Sequence, residues 1–289
     1  MQRGARRGGS IAAAVAVAAA LVTGCTPSSA QPQVDRALDS QSPAAAAPVI
    51  VRDCWVPTSA GNISLTSQQA RDLTNRAARL GRHSRNPDRI VARLQPAVAR
   101  TVAAGPAESG EGGGDALTPQ VAAEMAAGLT GVRAQSRLVC AYARTSVEPQ
   151  RPGPSGLVPR ARQLRAAWTE VFGPIPAGGF ARGGVHSGHV DGSAHYEGRA
   201  IDVFFRPLGD REQHRRGWVF AQWLIAHAPD HNVLSVIYDD HIWTSWAAYA
   251  GWRDYVHPGA TFQHRGNSVL RHREHVHVAV ESGRPFTGR

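Results

Sequence analysis

The chain has 289 residues, of which 42% are hydrophobic and 19% charged, a composition that suits a globular protein with some linker. The formal net charge is +10, and all 32 basic side chains are arginine because the sequence contains no lysine. Such a charge favours anionic polymers and lipid headgroups, or serves solubility alone, but no nucleic-acid-binding motif accompanies it, so nucleic acid is not expected as a partner.

The N-terminus is predicted to be a targeting segment rather than part of the fold. Three arginines lie within the first seven residues and precede an apolar run, residues 11–22, that is too short to span a bilayer as a helix. An ordinary secretory signal would fit these features. The pair Arg6-Arg7 leaves both Sec and twin-arginine export open.

The apolar run ends at Val22-Thr23-Gly24-Cys25. This segment resembles the lipobox of bacterial lipoproteins, in which the cysteine is acylated, with palmitate for example, and becomes the mature N-terminus. The resemblance implies that residues 1–25 are a lipoprotein signal peptide. It also implies an extracytoplasmic protein, lipid-anchored through Cys25 to the outer face of the cell membrane.

Two segments of different character follow. Residues 26–50 are rich in Ala, Pro, Ser and Gln without an apolar period, which predicts a flexible tether. Residues 51–144 are predicted to be a helical domain, because apolar residues recur there with helical spacing, and Thr118-Pro119 is a typical helix start. Pro96 is expected to kink or split one of these helices. The domain shows no catalytic motif.

Cys54 and Cys140 bracket the helical region and remain once Cys25 is assigned to the lipid. Export would place them in an oxidising compartment, so a disulfide between them is predicted. A metal-binding role is disfavoured, since neither belongs to a Cys-x-x-Cys pair.

A Pro- and Gly-rich linker, residues 145–156, is predicted to lead into a C-terminal domain, residues 157–289. Hydrophobic periodicity predicts an α+β fold there with a small antiparallel sheet. The predicted elements are a helix over 157–172, a strand over 199–205, a helix over 211–228, two strands over 233–238 and 241–244 joined at Asp239-Asp240, and a last strand over 275–280.

Two segments of this domain carry chemistry, Ser-Ala-His-Tyr-Glu-Gly-Arg-Ala-Ile-Asp over 193–202 and Glu-His-Val-His over 274–277. Alternation along a strand places Asp202 on one face and its apolar neighbours on the other, and it likewise separates His275 and His277 from the valines between and after them. Gly198 permits a tight turn that could bring His195 back over the first strand.

If the two strands lie close together, His195, Asp202 and His277 can converge. Two imidazoles and one carboxylate leave the fourth tetrahedral position of Zn²⁺ open for water, as in catalytic rather than structural sites. Water bound to zinc becomes a nucleophile at neutral pH. The other histidines at 186, 189, 241, 257, 264 and 272 are predicted to be bystanders.

The pattern Ser-x-His-x-x-Gly-x-Ala-x-Asp, followed by His-x-His, resembles the LAS metallopeptidases, which include lysostaphin-like enzymes, D-Ala-D-Ala peptidases and the hedgehog signalling domain. The resemblance covers roughly residues 157–285, and the chain is similar to exported actinobacterial proteins that carry such a domain. It implies zinc at His195, Asp202 and His277, and peptidoglycan peptide as the substrate.

The general base remains open between His275 and Glu274, because some LAS members use a residue two before the final histidine and others a glutamate three before it. Alternation favours His275, unless the strand begins after Glu274. Arg182 and Arg199 are weak candidates for binding a substrate carboxylate.

The expected function is therefore a cell-surface zinc metallopeptidase, of carboxypeptidase or endopeptidase type, that acts on peptidoglycan stem peptides. The alternative is a non-catalytic, zinc-stabilised module that binds cell wall or a protein, since the same fold can serve signalling. Nothing in the sequence predicts an oligomeric state.

Overall fold

The structure is a computed structural model that describes residues 53–84, 86–105, 117–142, 144–258 and 266–283. The predicted signal peptide, Cys25 and the tether lie outside the described residues. Within these ranges, no helix combines the length and the apolar character that crossing a membrane requires.

The first half of the described chain contains a small sheet as well as helices. An antiparallel hairpin of β1 and β2 pairs through β1 with β3, so the strand order is β2-β1-β3. The elements are β1 (Asp53–Thr58), β2 (Gly61–Thr66), α1 (Ser67–His83), α2 (Pro87–Ala103), α3 (Pro119–Leu129) and β3 (Val139–Cys140). The sequence pattern predicted only helices here, so this three-stranded sheet is a finding of the structure.

Local sequence explains where the helices begin. Thr66 and Gln69 form a reciprocal capping box at the start of α1. The Thr118 hydroxyl accepts a hydrogen bond from the Val121 amide, which confirms the predicted start of α3. The predicted split at Pro96 does not occur, since α2 runs without interruption from Pro87 to Ala103.

The predicted disulfide between Cys54 and Cys140 is confirmed. The two cysteines are directly opposite each other on β1 and β3, and both are buried. The bond therefore joins residues 86 positions apart in the sequence and closes a loop that contains α1, α2 and α3.

Reducing this disulfide should lower the free energy of unfolding by about 4–5 kcal/mol, because the closed loop restricts the unfolded chain. Denaturant unfolding with and without reductant measures the change. The double variant Cys54→Ala/Cys140→Ala should not respond to reductant. An unchanged midpoint after complete reduction of the natural chain would refute the prediction.

The second half of the chain forms a six-stranded antiparallel sheet of order β4-β5-β9-β6-β7-β8. Its two central strands, β5 and β9, bring together residues 75 positions apart in the sequence. The elements are α4 (Pro159–Phe172), β4 (Ala177–Gly178), β5 (Ala200–Phe204), α5 (Arg211–Ala226), α6 (Ala228–His231), β6 (Val233–Tyr238), β7 (His241–Thr244), β8 (Arg253–Asp254) and β9 (His275–Val280).

One hydrophobic core supports both sheets. It includes residues from α1, α3 and β1 as well as from α5 and the inner face of the six-stranded sheet. The Trp223 indole on α5 donates a 2.7 Å hydrogen bond to the Asn75 side chain on α1, which fixes one helix against the other. The arrangement of helices and small antiparallel sheets confirms the α+β class.

Candidate functional site

The register of β5 against β9 places Asp202 directly opposite His277, and Phe204 opposite His275. The intervening apolar side chains on both strands point the other way, into the core. The predicted division of the two strands into an apolar face and a polar face is therefore correct, and one face of the sheet presents both histidines beside the carboxylate. The residues on the core side are Ile201, Val203, Val276, Val278 and Val280.

A tight turn before β5 carries the third polar side chain. Gly198 adopts φ +66°, and its amide donates to the His195 carbonyl, while the Arg199 amide donates to Ala194. A β-carbon at position 198 would overlap the backbone of Gly156, so the turn requires glycine. The turn places the buried His195 ring above the start of β5, as predicted.

Three atoms form a nearly equilateral triangle on the polar face. His195 Nε2 lies 3.1 Å from His277 Nδ1 and 3.3 Å from Asp202 Oδ1, and His277 Nδ1 lies 3.1 Å from the same oxygen. Asp202 Oδ1 thus contacts both imidazole rings, and all three side chains are largely buried.

The Gly179 carbonyl fixes the orientation and the tautomer of His195. Gly179 follows β4 at the edge of the sheet, and its oxygen lies 2.7 Å from His195 Nδ1. A carbonyl can only accept, so Nδ1 carries the proton, and in the neutral ring Nε2 keeps its lone pair. A carbonyl acceptor on the remote nitrogen is the usual support of a histidine ligand.

The site holds its carboxylate in the charged form. Burial disfavours ionisation of Asp202, but the contacts with His195 and His277 outweigh it and hold the pKa of the carboxyl well below its ordinary value. Burial lowers the pKa of His275, an effect that Asp202 opposes. The cluster therefore presents a carboxylate and a neutral His275 at pH 7.

His189 belongs to this site, although the sequence predicted it to be a bystander. Its ring stacks on that of His195, with centroids 3.9 Å apart and planes 17° apart. One potential ligand atom from each of His189, His195 and Asp202 lies within 4.8 Å of the others, and this group could hold a metal ion. No periodicity signals the contact, because His189 lies on a loop.

His272, also predicted to be a bystander, forms the wall next to His275. Their ring centroids are 4.8 Å apart, and the Nδ1 atoms of both rings are buried without a hydrogen-bond partner among the described residues. The loop is held by Asp240, whose carboxylate binds Arg271 and Arg273 at 2.6–3.1 Å. Buried polar atoms without partners are costly, and their presence in a folded protein is typical of functional sites.

The polar face of the sheet opens into a cleft of about 540 Å³, a volume within the range of small-molecule and peptide sites. It is bordered by charged, aromatic and aliphatic side chains. Like His189 and His272, His257 was predicted to be a bystander but lines the cleft. His186 and His241 do not line it, and His264 lies outside the described residues. The lining residues are Gly188, His189, Val190, Asp191, Ser193, His195, Asp202, Phe204, Arg206, Ile237, Tyr255, His257, Val269, Leu270, His272, Glu274, His275 and His277.

Both predicted base residues line the cleft, in different settings. His275 Nε2 lies 3.8 Å from Asp202 Oδ1, on the same face as His277. The strand begins at His275, so alternation does not constrain Glu274. The Glu274 carboxylate instead binds the Arg206 guanidinium through two contacts of 2.6 and 3.1 Å.

The two arginines predicted to bind substrate do not line the cleft. Arg199 is buried and donates to Glu197 at 2.6 Å and to the Val280 carbonyl at 2.8 Å, so it ties the turn to the end of β9. Arg182 lies exposed on a loop. The described arginine that borders the cleft is Arg206, whose side chain is 53% exposed and stacks on Phe204.

Comparison with known proteins gives one match. The family model described as VldE, C-terminal domain, matches residues 153–265. The matched stretch contains His189, His195 and Asp202 and ends before β9, which carries His275 and His277. No curated protein and no solved structure matches the chain significantly. The chain is therefore similar to the VldE C-terminal domain over the first part of the site.

Proposed function

We propose that this protein is a zinc metallopeptidase of the LAS type that acts on peptidoglycan stem peptides at the outer face of the cell membrane. His195, Asp202 and His277 would hold the metal. The observation that carries the proposal is the triangle formed by His195 Nε2, His277 Nδ1 and Asp202 Oδ1, with edges of 3.1, 3.1 and 3.3 Å.

These edges match the spacing that zinc requires. Bonds of about 2.0–2.1 Å at tetrahedral angles place neighbouring ligand atoms about 3.3 Å apart. Two imidazole nitrogens and a carboxylate oxygen are also the ligand types that zinc prefers. The competing account is a hydrogen-bonded cluster without metal. It explains the contacts of Asp202 as well, and a measurement of bound zinc separates the two accounts.

Zinc held by these residues would polarise the scissile carbonyl and lower the pKa of a water molecule. The residues around it have separate tasks. Gly179 orients His195, and Asp202 supplies negative charge to the site. His275 is the favoured general base because it faces the same side as His277, whereas Glu274 is bound to Arg206.

The cleft offers a peptide both apolar and charged contacts. Its aliphatic and aromatic border includes Val190, Ile237 and Tyr255, and the site is concave and open on one side. Export and lipidation at Cys25 would place it beside the cell wall. Removal of residues 1–24 with their three arginines leaves a net charge of 10 − 3 = +7, which favours an anionic polymer.

Incubation of the zinc-loaded protein with cross-linked and uncross-linked stem peptides tests the proposal, with products identified by mass spectrometry. New peptide fragments that disappear after chelation support a peptidase. If no stem peptide is cleaved while zinc remains bound, a zinc-stabilised binding module is the better account. The presence of a fourth potential ligand, His189, is the observation that favours this alternative, since closed zinc sites are structural.

Gly179→Ala should weaken metal binding by at least about tenfold, because mutating a residue that orients a metal ligand typically lowers the metal affinity ten- to hundred-fold. Gly179 has φ +74°, and a β-carbon there would overlap the His195 ring. Competition with a chromophoric chelator measures the affinity.

Gly183→Ala is the matched control. Gly183 has a similar φ of +83° but open space around the position of a β-carbon. It therefore reproduces the backbone strain without displacing His195. Equal metal affinities of the two variants would contradict the positioning role of Gly179.

A further inference from the structure

His189 is placed to approach the metal from the side of His195. The two rings stack nearly parallel with their centroids 3.9 Å apart, and a ligand atom of His189 is within 4.8 Å of those of His195 and Asp202. This limit exceeds the spacing of about 3.3 Å between tetrahedral zinc ligands. A displacement of about 1–2 Å would bring the nitrogen to bonding position.

Two hydrogen bonds hold the backbone of His189, so the displacement of its ring nitrogen would come from rotation of the side chain. The Tyr196 hydroxyl donates to the His189 carbonyl at 2.5 Å and accepts from the His189 amide at 3.0 Å. Tyr196 is adjacent to His195 in the chain, so the same turn positions both histidines. The His189 ring is half-buried at the border of the cleft.

We propose that His189 is a fourth, exchangeable ligand of the metal. The inference rests on the proposed zinc site at His195, Asp202 and His277. With His189 bound, four protein ligands close the coordination sphere as in structural sites. With His189 turned away, one position opens to water and substrate as in catalytic sites. The ring would thus set the fraction of protein that is competent to react.

Four full-length proteins test the proposal: the natural chain, His189→Ala, His189→Phe and His186→Ala. Phenylalanine keeps a flat ring to stack on His195 but offers no ligand nitrogen, and His186 is an exposed histidine of the same loop. Zinc affinity is measured by chelator competition, and Co²⁺ in place of zinc reports the ligand set through its visible absorption.

Both His189 variants should bind one metal ion at least about tenfold more weakly than the natural chain. Mutating a residue that only supports a ligand already costs ten- to hundred-fold in metal affinity, and His189 is proposed to be a ligand itself. Both should also change the Co²⁺ spectrum, while His186→Ala should change neither. A His189→Phe protein with natural affinity and spectrum would overturn the proposal and leave His189 as a stacking partner. Failure of the zinc site itself would differ, because the natural chain would then bind no metal.

Discussion

Replacing His195, Asp202 or His277 with alanine should reduce the bound zinc from about one ion per chain to nearly none. Each variant loses one of the three permanent ligands, and His189, which is proposed to bind only part of the time, does not replace it. The triangle of atoms within 3.1–3.3 Å makes the three positions equivalent in this respect. Metal content after dialysis, measured by atomic emission, gives the result directly.

His186→Ala is the control for these variants, since this exposed histidine does not line the cleft. Circular dichroism should show that every variant remains folded, because the apolar core lies on the opposite face of β5 and β9. Full zinc content in all three variants would mean that other residues hold the metal.

His275→Ala should keep its zinc and lose about a hundred- to ten-thousand-fold in turnover, the usual contribution of a general base. His275 shares the polar face of β9 with His277, and its Nε2 lies 3.8 Å from Asp202 Oδ1. Steady-state rates on a stem peptide, at saturating zinc, measure the loss.

Glu274→Gln is the matched comparison, because it removes the charge but keeps the size of the second candidate base. The carboxylate of Glu274 is bound by Arg206, so this variant should lose much less activity than His275→Ala. A larger loss in Glu274→Gln would show that substrate displaces Arg206 and that Glu274 is the base. The assignment of His275 would then be wrong.

Alternation explains how much of the site could be predicted from sequence. The strands over 275–280, 233–238 and 241–244 appear where hydrophobic patterning predicts them. The polar residue between apolar neighbours in each of β5 and β9 identifies the functional face, so Asp202 and His277 can be paired before their register is known. The Gly198 turn, with its positive φ, adds His195.

Contacts made by loops could not be predicted in this way. His189 and His272 enter the cleft through ring packing and through the Asp240 anchor, neither of which leaves a periodic pattern. The sheet of β1, β2 and β3 was missed for a related reason. β3 has only two residues, β1 contains Pro57, and Ile63 and Leu65 are the only large apolar residues of β2, so the hydrophobic pattern of these strands is weak.

The helical region supports the site without lining it. Its helices share the core that lies behind β5 and β9, and the bond between Trp223 and Asn75 joins α5 to α1. The disulfide between Cys54 and Cys140 stabilises the same region. Changes there should therefore affect the cleft through the stability of the sheet rather than through contact with substrate.

The most direct test of the central claim is a zinc titration of metal-free protein, with stem-peptide hydrolysis as the readout. The account predicts that turnover rises from background and reaches a plateau at about one zinc ion per chain, because a single site supplies the reactive water. It also predicts that the His277→Ala protein stays at background throughout. Binding of one zinc ion without hydrolysis of any stem peptide would contradict the claim.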